Sequence, residues 1–404
     1  MKKTKKRSYF TKKEMLTQFP WLTGKMIIDY LSEIRYTIIK DNKQISVWDM
    51  DSVLEICKTD KNILAAKEKS RKDKQDNLDL RMEYQAFVSS HTPYEKFLIA
   101  KQLNRKFILH IGPTNSGKTY STLEALKGAE TGVYLGPLRL MALEVFDKLN
   151  DADIPCSLLT GEESISIPCA KFTASTVEMA DFQKHYDIAV IDEAQMISDP
   201  RRGAHWFDAI CQIDAEIVHI CMAPEASDLI TDLMLSINSP YEIIHHNRLA
   251  PLTVGNQLSG LDDILPGDAI VAFSRQKVLA IAAAMKKRGF NPAIIYGGLP
   301  PKSRRMEVED YIFGKKDIIV ATDAIGMGLS LPIRRIVFAE LRKYDGTKKR
   351  SLTAQEIQQI SGRAGRFGMF EKGEVTSFRN NKFISKLLQQ KIEPIQKIRM
   401  NNII

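Results

Sequence analysis

The sequence has no long hydrophobic run, since no apolar stretch approaches the roughly 18 residues that span a bilayer. Internal repetition at short period is also absent, which excludes a solenoid. The composition is ordinary for a globular protein, because 44% of the 404 residues are hydrophobic and 26% are charged. The length allows two or three domains with sizeable cores. The sequence therefore predicts a soluble multidomain protein.

Paired cysteines are missing as well. The chain has no Cys-x-x-Cys pair and no secretory leader, so neither a disulfide framework nor a zinc site is indicated. Isolated thiols fit a reducing compartment, and we expect a cytoplasmic location. Cys211 and Cys221 lie in apolar sequence surroundings, which predicts small buried hydrophobic residues. The five cysteines are Cys57, Cys156, Cys169, Cys211 and Cys221.

Acidic residues are scarce at the amino end. Residues 1–25 contain eight Lys or Arg and one acid, Glu14, so +7 of the net charge of +9 lies in this segment. A basic head on a nearly neutral body predicts contact with a polyanion, either nucleic acid or a membrane surface. For residues 1–7, a solvated tail is the alternative.

The amino-terminal region, residues 1–70, has the pattern of two helices followed by a hairpin of Tyr36–Ile39 and Ile45–Trp48. Helix, helix, hairpin is the order of a winged helix. We therefore expect a basic, winged-helix-like α/β module that contacts nucleic acid, with protein docking as the alternative. Residues 71–97 are predicted to form a charged linker.

Short apolar strands alternate with amphipathic helices along the rest of the chain. This alternation indicates parallel sheets with helices on both faces. One set of elements fills residues 98–250 and a second set fills residues 251–380. The predicted fold class is therefore α/β with two tandem parallel-sheet lobes, followed by a short helix and tail in residues 381–404.

A phosphate-binding loop follows the first strand of the first lobe. Triphosphate oxygens must be met by backbone N–H groups from a tight turn, and side chains at Gly112 and Gly117 would block that approach. Lys118 supplies a positive charge to the β and γ phosphates, and Thr119 offers its hydroxyl to Mg²⁺ at a helix start. The predicted nucleotide-binding residues of this loop are Gly112, Pro113, Thr114, Asn115, Ser116, Gly117, Lys118 and Thr119.

A pair of carboxylates follows a later strand of the same lobe. The apolar run Ile188–Ile191 ends in Asp192 and Glu193, at the edge of the sheet where a metal-binding carboxylate belongs. Asp192 would hold Mg²⁺ together with Thr119, and Glu193 would polarise the water that attacks the γ-phosphate. A surface turn after a buried strand is the alternative, but the pairing with the phosphate loop favours catalysis.

Two arginines three positions apart, Arg363 and Arg366, occur in the second lobe. A helix start at this point can aim both guanidinium groups at one phosphate chain. Hydrolysis would then depend on closure of the two lobes. Upstream, Ala321–Gly328 leaves a strand with glycines where the backbone approaches a ligand, which adds Asp323 and Gly326 to the predicted nucleotide site. The predicted catalytic residues are Lys118, Asp192, Glu193, Gln359, Arg363 and Arg366.

These motifs resemble those of superfamily-two nucleic-acid helicases. The closer resemblance is to the suppressor-of-var helicases, the ATP-dependent RNA helicases of the mitochondrial degradosome and their bacterial relatives. It covers residues 79–376 in order, and it implies two RecA-like lobes, ATP and Mg²⁺ as cofactors, and 3′-to-5′ movement on RNA. The motifs that carry it are Gly112–Tyr120, Gly136–Leu140, Thr160–Glu163, Thr176–Met179, Asp192–Gln195, Ala321–Gly328 and Gln359–Arg366.

The resemblance also implies a grip on the sugar-phosphate backbone. Hydroxyls, backbone amides and cations suit phosphate contacts that carry no sequence information. The matching positions are Pro137, Arg139, Thr160, Gly161, Thr176, Ser274, Arg275, Gly297 and Thr322.

Two departures from the family pattern bear on coupling. Cys221–Pro224 stands where most superfamily-two helicases have Ser/Thr-Ala-Thr, so hydroxyls that would relay hydrolysis to the second lobe are absent. The chain also ends at Ile404 with Lys382–Lys391 as its predicted terminal helix, short of the family's larger helical region.

The predicted function is an ATP-dependent RNA helicase or translocase. It would act as a monomer on single-stranded or 3′-tailed RNA without membrane contact, and the resemblance implies a 3′-to-5′ exoribonuclease as a partner. Two alternatives stay open. One is an ATP-regulated RNA clamp or recruitment module that unwinds nothing, and the other is a DNA-directed helicase, which the winged-helix-like head supports.

Overall fold

A computed structural model gives the structure of the protein. It describes residues 9–11, 35–40, 43–61, 63–65, 92–326, 331–366 and 368–398, and the single residues 15, 19, 27, 31, 68 and 72. The chain divides into two compact units, residues 1–93 and residues 94–404. Within the described residues, every helix is too short or too polar to traverse a bilayer.

The amino-terminal unit contains a three-stranded antiparallel sheet in the order β1-β3-β2. The predicted hairpin is present, since β2 pairs with β3 from Arg35 opposite Trp48 to Lys40 opposite Lys43. The two predicted helices before it lie mostly outside the described residues. The elements of this unit are β1 (Tyr9–Thr11), β2 (Arg35–Lys40), β3 (Lys43–Asp49) and α1 (Met50–Thr59).

The first lobe of the larger unit is built on an eight-stranded sheet. Its strands are β4 (Lys106–Ile111), β5 (Gly132–Gly136), β6 (Cys156–Leu159), β7 (Ser164–Ile165), β8 (Phe172–Thr176), β9 (His185–Ile191), β10 (Asp214–Met222) and β11 (Tyr241–His245). Their order is β11-β4-β10-β9-β5-β8-β6-β7, and all pairings are parallel except that of β6 with β7. The helices are α2 (Pro93–Gln102), α3 (Lys118–Lys127), α4 (Arg139–Asp151), α5 (Gly203–Gln212) and α6 (Ser227–Ser236).

The second lobe is built on a six-stranded, all-parallel sheet in the order β12-β19-β16-β13-β15-β14. Its strands, with the separate hairpin β17–β18, are β12 (Leu252–Val254), β13 (Asp268–Val271), β14 (Pro292–Ile295), β15 (Ile318–Ala321), β16 (Arg335–Phe338), β17 (Arg342–Tyr344), β18 (Lys349–Ser351) and β19 (Gly373–Ser377). The helices are α7 (Arg275–Lys287), α8 (Pro301–Ile312), α9 (Ala354–Ser361) and α10 (Asn381–Gln389), the last of which matches the predicted terminal helix.

Both sheets are covered on both faces. Along β5, Val133 and Leu135 pack into one hydrophobic cluster, and Tyr134 between them packs into another. Alternate residues of a strand point to opposite faces, so a strand with two apolar faces must be covered twice. Cys211 and Cys221 are buried as predicted. The predicted α/β class with two parallel-sheet lobes is confirmed, and the predicted domain boundaries stay a prediction.

The carboxyl ends of the first lobe's strands bring the site motifs to one edge of the sheet. The phosphate loop follows β4, the carboxylate pair follows β9, and Pro137 follows β5. Gly136 at the end of β5 lies opposite Thr176 at the end of β8. Ligands of open α/β sheets bind outside these strand ends, so this edge is the expected place of the functional site.

A buried ion pair lies at the amino ends of strands in the second sheet, at the edge opposite to the carboxyl ends of these strands. The fully buried Asp268 accepts from Arg335 at 2.6 Å and from Arg334 at 2.6 Å. Arg335 is also 3.5 Å from Glu374. The network lies at the amino ends of β13 and β16, away from the predicted site, so it serves the stability of the lobe.

Asp268→Ala should lower the free energy of unfolding by about 3 kcal/mol, because it leaves the buried guanidinium of Arg335 without its main counter-charge. Chemical denaturation followed by circular dichroism measures the change. The matched control is Asp262→Ala, whose side chain is 83% exposed beside Arg288. The control should change the free energy by less than ~0.5 kcal/mol. Equal losses in the two variants would contradict the assignment.

Candidate functional site

The phosphate loop has the backbone geometry that the glycines predict. Gly117, the residue before α3, has φ +82°, in the left-handed region that favours glycine. Asn115 also has a positive φ, 62°. A Cβ on Gly112 would overlap with the carbonyl oxygen of His246. The need for glycine at this position therefore also comes from a close approach within the protein, which sequence reasoning did not foresee.

Lys118 lies across its own loop. Its Nζ donates to the carbonyl oxygens of Gly112 at 2.6 Å and of Pro113 at 2.7 Å. Ser116, which is buried, has its Oγ 3.4 Å from the same nitrogen. The ammonium group is thus held at the loop, where a bound phosphate chain would meet it.

Asp192 and Thr119 come together at the base of the loop. The hydroxyl of Thr119 donates to Asp192 Oδ2 at 3.1 Å, and the hydroxyl of Tyr134 donates to the same oxygen at 2.8 Å. Burial, with the negative charge of Glu193 second, raises the pKa of Asp192 to about 6. Hard oxygen donors of this kind suit Mg²⁺.

These residues do not form a metal site by themselves. No cluster of three or more His, Cys, Asp or Glu side chains that could hold a metal occurs among the described residues. Mg²⁺ is usually bound by one or two protein groups together with substrate phosphates and water. Thr119 and Asp192 fit that mode.

Glu193 is linked to the next strand by Gln195. Glu193 has φ 53°, a left-handed conformation that is strained for a residue with a side chain. Its carboxylate accepts from the amide nitrogen of Gln195, and the backbone N–H of Ala223 donates to Gln195 Oε1 at 3.0 Å. Sequence analysis placed Gln195 in a motif but assigned it no role. Ala223 belongs to the segment Cys221–Pro224, so this segment is linked to Glu193 through a backbone amide.

Arg363 of the second lobe lies close to the carboxylates of the first. Its Nε and Nη2 donate to the carbonyl oxygen of Gly326 at 3.0 and 2.8 Å. Burial lowers the pKa of Arg363, and the charges of Glu193 and Asp192 oppose this lowering. The action of Arg363 across the cleft stays a prediction.

Gly326, Gln359 and Asp323, which were also predicted for the site, make contacts within the second lobe. A Cβ on Gly326 would lie 3.8 Å from Gln359 Cγ, so these two residues pack together beneath Arg363. Asp323 is instead paired with Lys343 at 3.1 Å, within the second lobe. Arg366 is partly buried in the turn after α9.

The two lobes touch at the phosphate loop. Asn115 Nδ2 donates to the carbonyl oxygen of Gly365 at 2.6 Å. A Cβ on Gly362 would lie 2.7 Å from Thr114 Cβ, so only glycine permits this approach. The turn that carries Arg363 is thus seated on the loop that would hold phosphates.

A cavity of about 600 Å³ is lined by residues of both lobes. Five of the nine predicted nucleic-acid residues line it, and they come from both lobes. They are Pro137, Arg139, Gly161, Thr176 and Gly297.

The other four predicted nucleic-acid residues do not line this cavity and have local roles. The Thr160 hydroxyl donates to Glu163 O at 3.0 Å, Ser274 Oγ accepts from Lys277 N at 3.2 Å as the cap of α7, and Thr322 Oγ1 accepts from Ala324 N at 3.3 Å. Arg275 lies 5.2 Å from the ring centroid of Tyr296.

Sequence reasoning missed two cavity arginines. Arg202 pairs with Glu178 at 2.6 Å and donates to the carbonyl oxygen of Pro137 at 2.6 Å. Arg304 donates to the carbonyl oxygen of Gly297 at 2.9 Å, and burial lowers its pKa. Neither belongs to a recognised motif. Their position follows from folding alone.

Three histidines form a hydrogen-bonded chain under the phosphate loop. His110 Nδ1 is 2.9 Å from His246 Nε2, and His110 Nε2 is 2.9 Å from His219 Nδ1. They lie on β4, at the end of β11 and on β10, which are neighbours in the sheet. Burial, then the adjacent histidines and Lys118, lowers the pKa of His110 to about 4. Burial also lowers the pKa values of His219 and His246.

The phosphate loop, the carboxylate pair and the arginine of a second lobe define a two-lobe P-loop protein of the helicase class. Two family models match in succession: the DEXQ-box helicase domain of Suv3 over residues 93–246, and the helicase conserved C-terminal domain over residues 256–368. The chain belongs to the Suv3-type helicases.

Curated relatives agree with the family models. The chain is 39% identical over 334 residues to "ATP-dependent RNA helicase SUPV3L1, mitochondrial" of Homo sapiens, covering 79% of this chain and 42% of the relative. It is 43% identical over 295 residues to "DExH-box ATP-dependent RNA helicase DExH16, mitochondrial" of Arabidopsis thaliana, covering 72% of this chain and 52% of the relative. The chain thus spans about half the length of these relatives or less.

A solved structure supports the fold. A variant of S. cerevisiae Dbp5 bound to RNA and ADP BeF3 superposes with a TM-score of 0.53 at 17% identity, over 72% of this chain and 85% of that one. At this identity the likeness supports two RecA-like lobes and nothing further.

The comparisons correct one prediction. Isolated cysteines suggested a cytoplasmic location, but the human, Arabidopsis and Candida albicans relatives are all named as mitochondrial proteins. The prediction of a cytoplasmic location is wrong on this evidence. Unpaired thiols indicate a reducing compartment and do not say which one.

His110→Gln tests the histidine chain through its pH dependence. The folded pKa of His110, about 4, lies below the ordinary value of 6.5, so the unfolded state binds more protons between these values. The stability contributed by the neutral chain is fully present above pH 6.5 and is lost as pH falls towards 4. The stability difference between parent and variant should therefore shrink on acidification, as measured by thermal unfolding at several pH values.

The difference in stability between parent and variant must be compared, because Asp192 also titrates in this pH range. Its pKa is raised to about 6, so its protonation stabilises the folded state as pH falls, which opposes the effect of His110. The matched control is His185→Gln, an exposed histidine beside Asp214. A parent-to-variant difference for His110→Gln that stays constant with pH would show that the chain is not held neutral by folding.

Proposed function

We propose that the chain is an ATP-dependent RNA helicase or translocase. ATP and Mg²⁺ bind at the phosphate loop, and hydrolysis is coupled to movement on a single strand. The carrying observation is that the turn with Arg363 packs against the phosphate loop of the other lobe, where a Cβ on Gly362 would lie 2.7 Å from Thr114 Cβ. The names of the relatives support RNA as substrate.

The proposed chemistry uses each group at the cleft. Lys118 would bind the β and γ phosphates, and Thr119 and Asp192 would hold Mg²⁺, which neutralises phosphate charge when bound. Glu193 orients and polarises the attacking water, with Gln195 fixing its carboxylate. Arg363 exchanges the carbonyl of Gly326 for the γ-phosphate and stabilises the charge that develops there.

The proposed strand path runs through the cavity of about 600 Å³ between the lobes. Arg139, Arg202 and Arg304 bring cations to it, and Gly161 and Gly297 expose backbone. Such groups grip phosphates without reading bases. Each cycle of closure would move the strand by a small step, with 3′-to-5′ polarity as the family resemblance implies. We also propose that the protein acts as a monomer and has an exoribonuclease as a partner.

Turnover of ATP with and without single-stranded RNA tests the catalytic assignment. Lys118→Ala should abolish measurable turnover, and Glu193→Gln should lower kcat by at least ~100-fold, the contribution expected of a general base. The matched control is Glu130→Gln, an 84% exposed carboxylate in the same lobe. Parent-level turnover in both site variants would refute the assignment.

A clamp that binds RNA without unwinding is a second candidate. The observation that favours it is the direct bond from Asn115 to the carbonyl oxygen of Gly365, which holds the lobes together through protein contacts alone. A clamp would hydrolyse ATP and bind RNA but release no strand.

Strand displacement separates these functions. We expect release from a 3′-tailed RNA duplex in the presence of ATP, no release from a 5′-tailed duplex, and weaker ATPase stimulation by matched DNA. Hydrolysis without release would favour the clamp, and equal or stronger stimulation by DNA would favour a DNA-directed helicase. Release from the 5′-tailed duplex alone would contradict the polarity.

A further inference from the structure

The connection between the lobes, residues 246–251, is fastened to both of them. His246 N donates to the carbonyl oxygen of Ile111 at 2.7 Å, and Leu249 N donates to that of Asn115 at 3.2 Å. On the other side, Gly373 N donates to the carbonyl oxygen of Pro251 at 2.8 Å. The connection therefore runs along the phosphate loop and is hydrogen-bonded to both lobes.

Arg248 lies at the centre of this connection, and its guanidinium reaches both lobes at once. Nη1 donates to the carbonyl oxygen of Thr114 at 3.0 Å in the phosphate loop and to that of Gly362 at 2.9 Å in the turn after α9. Nη2 donates to the carbonyl oxygen of Ala364, and Nε donates to that of Ala250 at 2.7 Å. These four carbonyls surround one planar group.

The two carbonyls of the second lobe flank Arg363. Gly362 and Ala364 are its immediate neighbours in the chain, so Arg248 holds the backbone on both sides of it. The same guanidinium holds Thr114, which is inside the phosphate loop. One side chain thereby ties the phosphate loop to the backbone on both sides of Arg363, in addition to the bond from Asn115 to Gly365.

The chemistry requires arginine. A guanidinium presents several N–H donors in a rigid plane and can bridge carbonyls on opposite sides, whereas the ammonium of lysine is a single point. Burial lowers the pKa of Arg248 to about 10, which still leaves it charged at neutral pH. Its bonds are therefore charge-assisted, and they are stronger than bonds between neutral groups.

We propose that Arg248 is a positioning residue for hydrolysis: it braces the backbone of Arg363 against the phosphate loop, so that the Arg363 guanidinium reaches the γ-phosphate when the lobes close. This inference rests on the proposed function. It adds a residue outside the phosphate loop, the carboxylate pair and the arginine segment, and it makes the connection between the lobes part of the catalytic geometry.

Arg248→Ala should lower kcat for RNA-stimulated ATP hydrolysis by roughly 100-fold, the order of loss that a displacement of about 1 Å causes. KM for ATP and the affinity for a non-hydrolysable ATP analogue should change by less than ~3-fold, because the loss falls on an interaction realised in the transition state. Arg248→Lys should not restore kcat. The matched control is Arg288→Ala, an arginine of the second lobe beside the exposed Asp262, which should behave as the parent.

A double-variant cycle separates positioning from general destabilisation. If Arg248 acts through Arg363, then Arg248→Ala should cost less than ~5-fold in kcat in the Arg363→Lys background, because coupled residues are non-additive. The same ~100-fold loss in both backgrounds would overturn the inference. If Arg248→Ala does not fold, Arg248→Lys takes its place in the cycle.

The experiment distinguishes failure of the brace from failure of the proposed function. If the parent and Arg288→Ala hydrolyse ATP and Arg248→Ala matches them in kcat, the brace is wrong and the helicase proposal stands. If the parent does not hydrolyse ATP, the proposed function fails. In that case hydrogen exchange tests the brace without catalysis. The backbone amides of residues 112, 114–119 and 362–366 should exchange faster in Arg248→Ala than in the parent. Unchanged exchange would overturn the inference.

Discussion

The site depends on one contact, in which the phosphate loop of the first lobe meets the turn that carries Arg363 in the second. Gly362 makes the contact by lacking a side chain, and Asn115 adds a bond to the carbonyl oxygen of Gly365. A nucleotide between these surfaces would touch groups from both lobes. Neither lobe holds the complete set of groups, so the proposed hydrolysis would require both lobes at this junction.

Burial sets the electrostatics around that junction. Asp192 lies beneath the loop, where loss of solvent and the nearby Glu193 raise its pKa to about 6. A divalent cation would reverse this effect, because positive charge favours the ionised carboxylate. The histidine chain beneath the loop is kept neutral by the same loss of solvent, and Lys118 adds to it. Under the proposed function, bound Mg²⁺ and phosphate would change the balance of these ionisable groups.

Parallel topology explains why dispersed motifs share one edge. Strand ends in both sheets deliver loops to the cleft, and the cavity between the lobes takes residues from the ends of β5, β8 and β14 together. The order of motifs along the chain says little about this arrangement. It follows from the order of strands, in which β4 lies between β10 and β11 and far from β5.

The sequence by itself determined the α/β class, the strand–loop–helix of the phosphate site, the Asp192–Glu193 pair and the family, because each is read from local patterns or from the order of short motifs along the chain. It did not determine that Gln195 bridges Glu193 to Ala223, that Arg202 and Arg304 reach the cavity, or that Asp323 pairs with Lys343. Nor did it reveal the brace of Arg248. These contacts join residues that are distant in the chain or that belong to no motif, and only the packing of one strand or lobe against another decides which side chains meet.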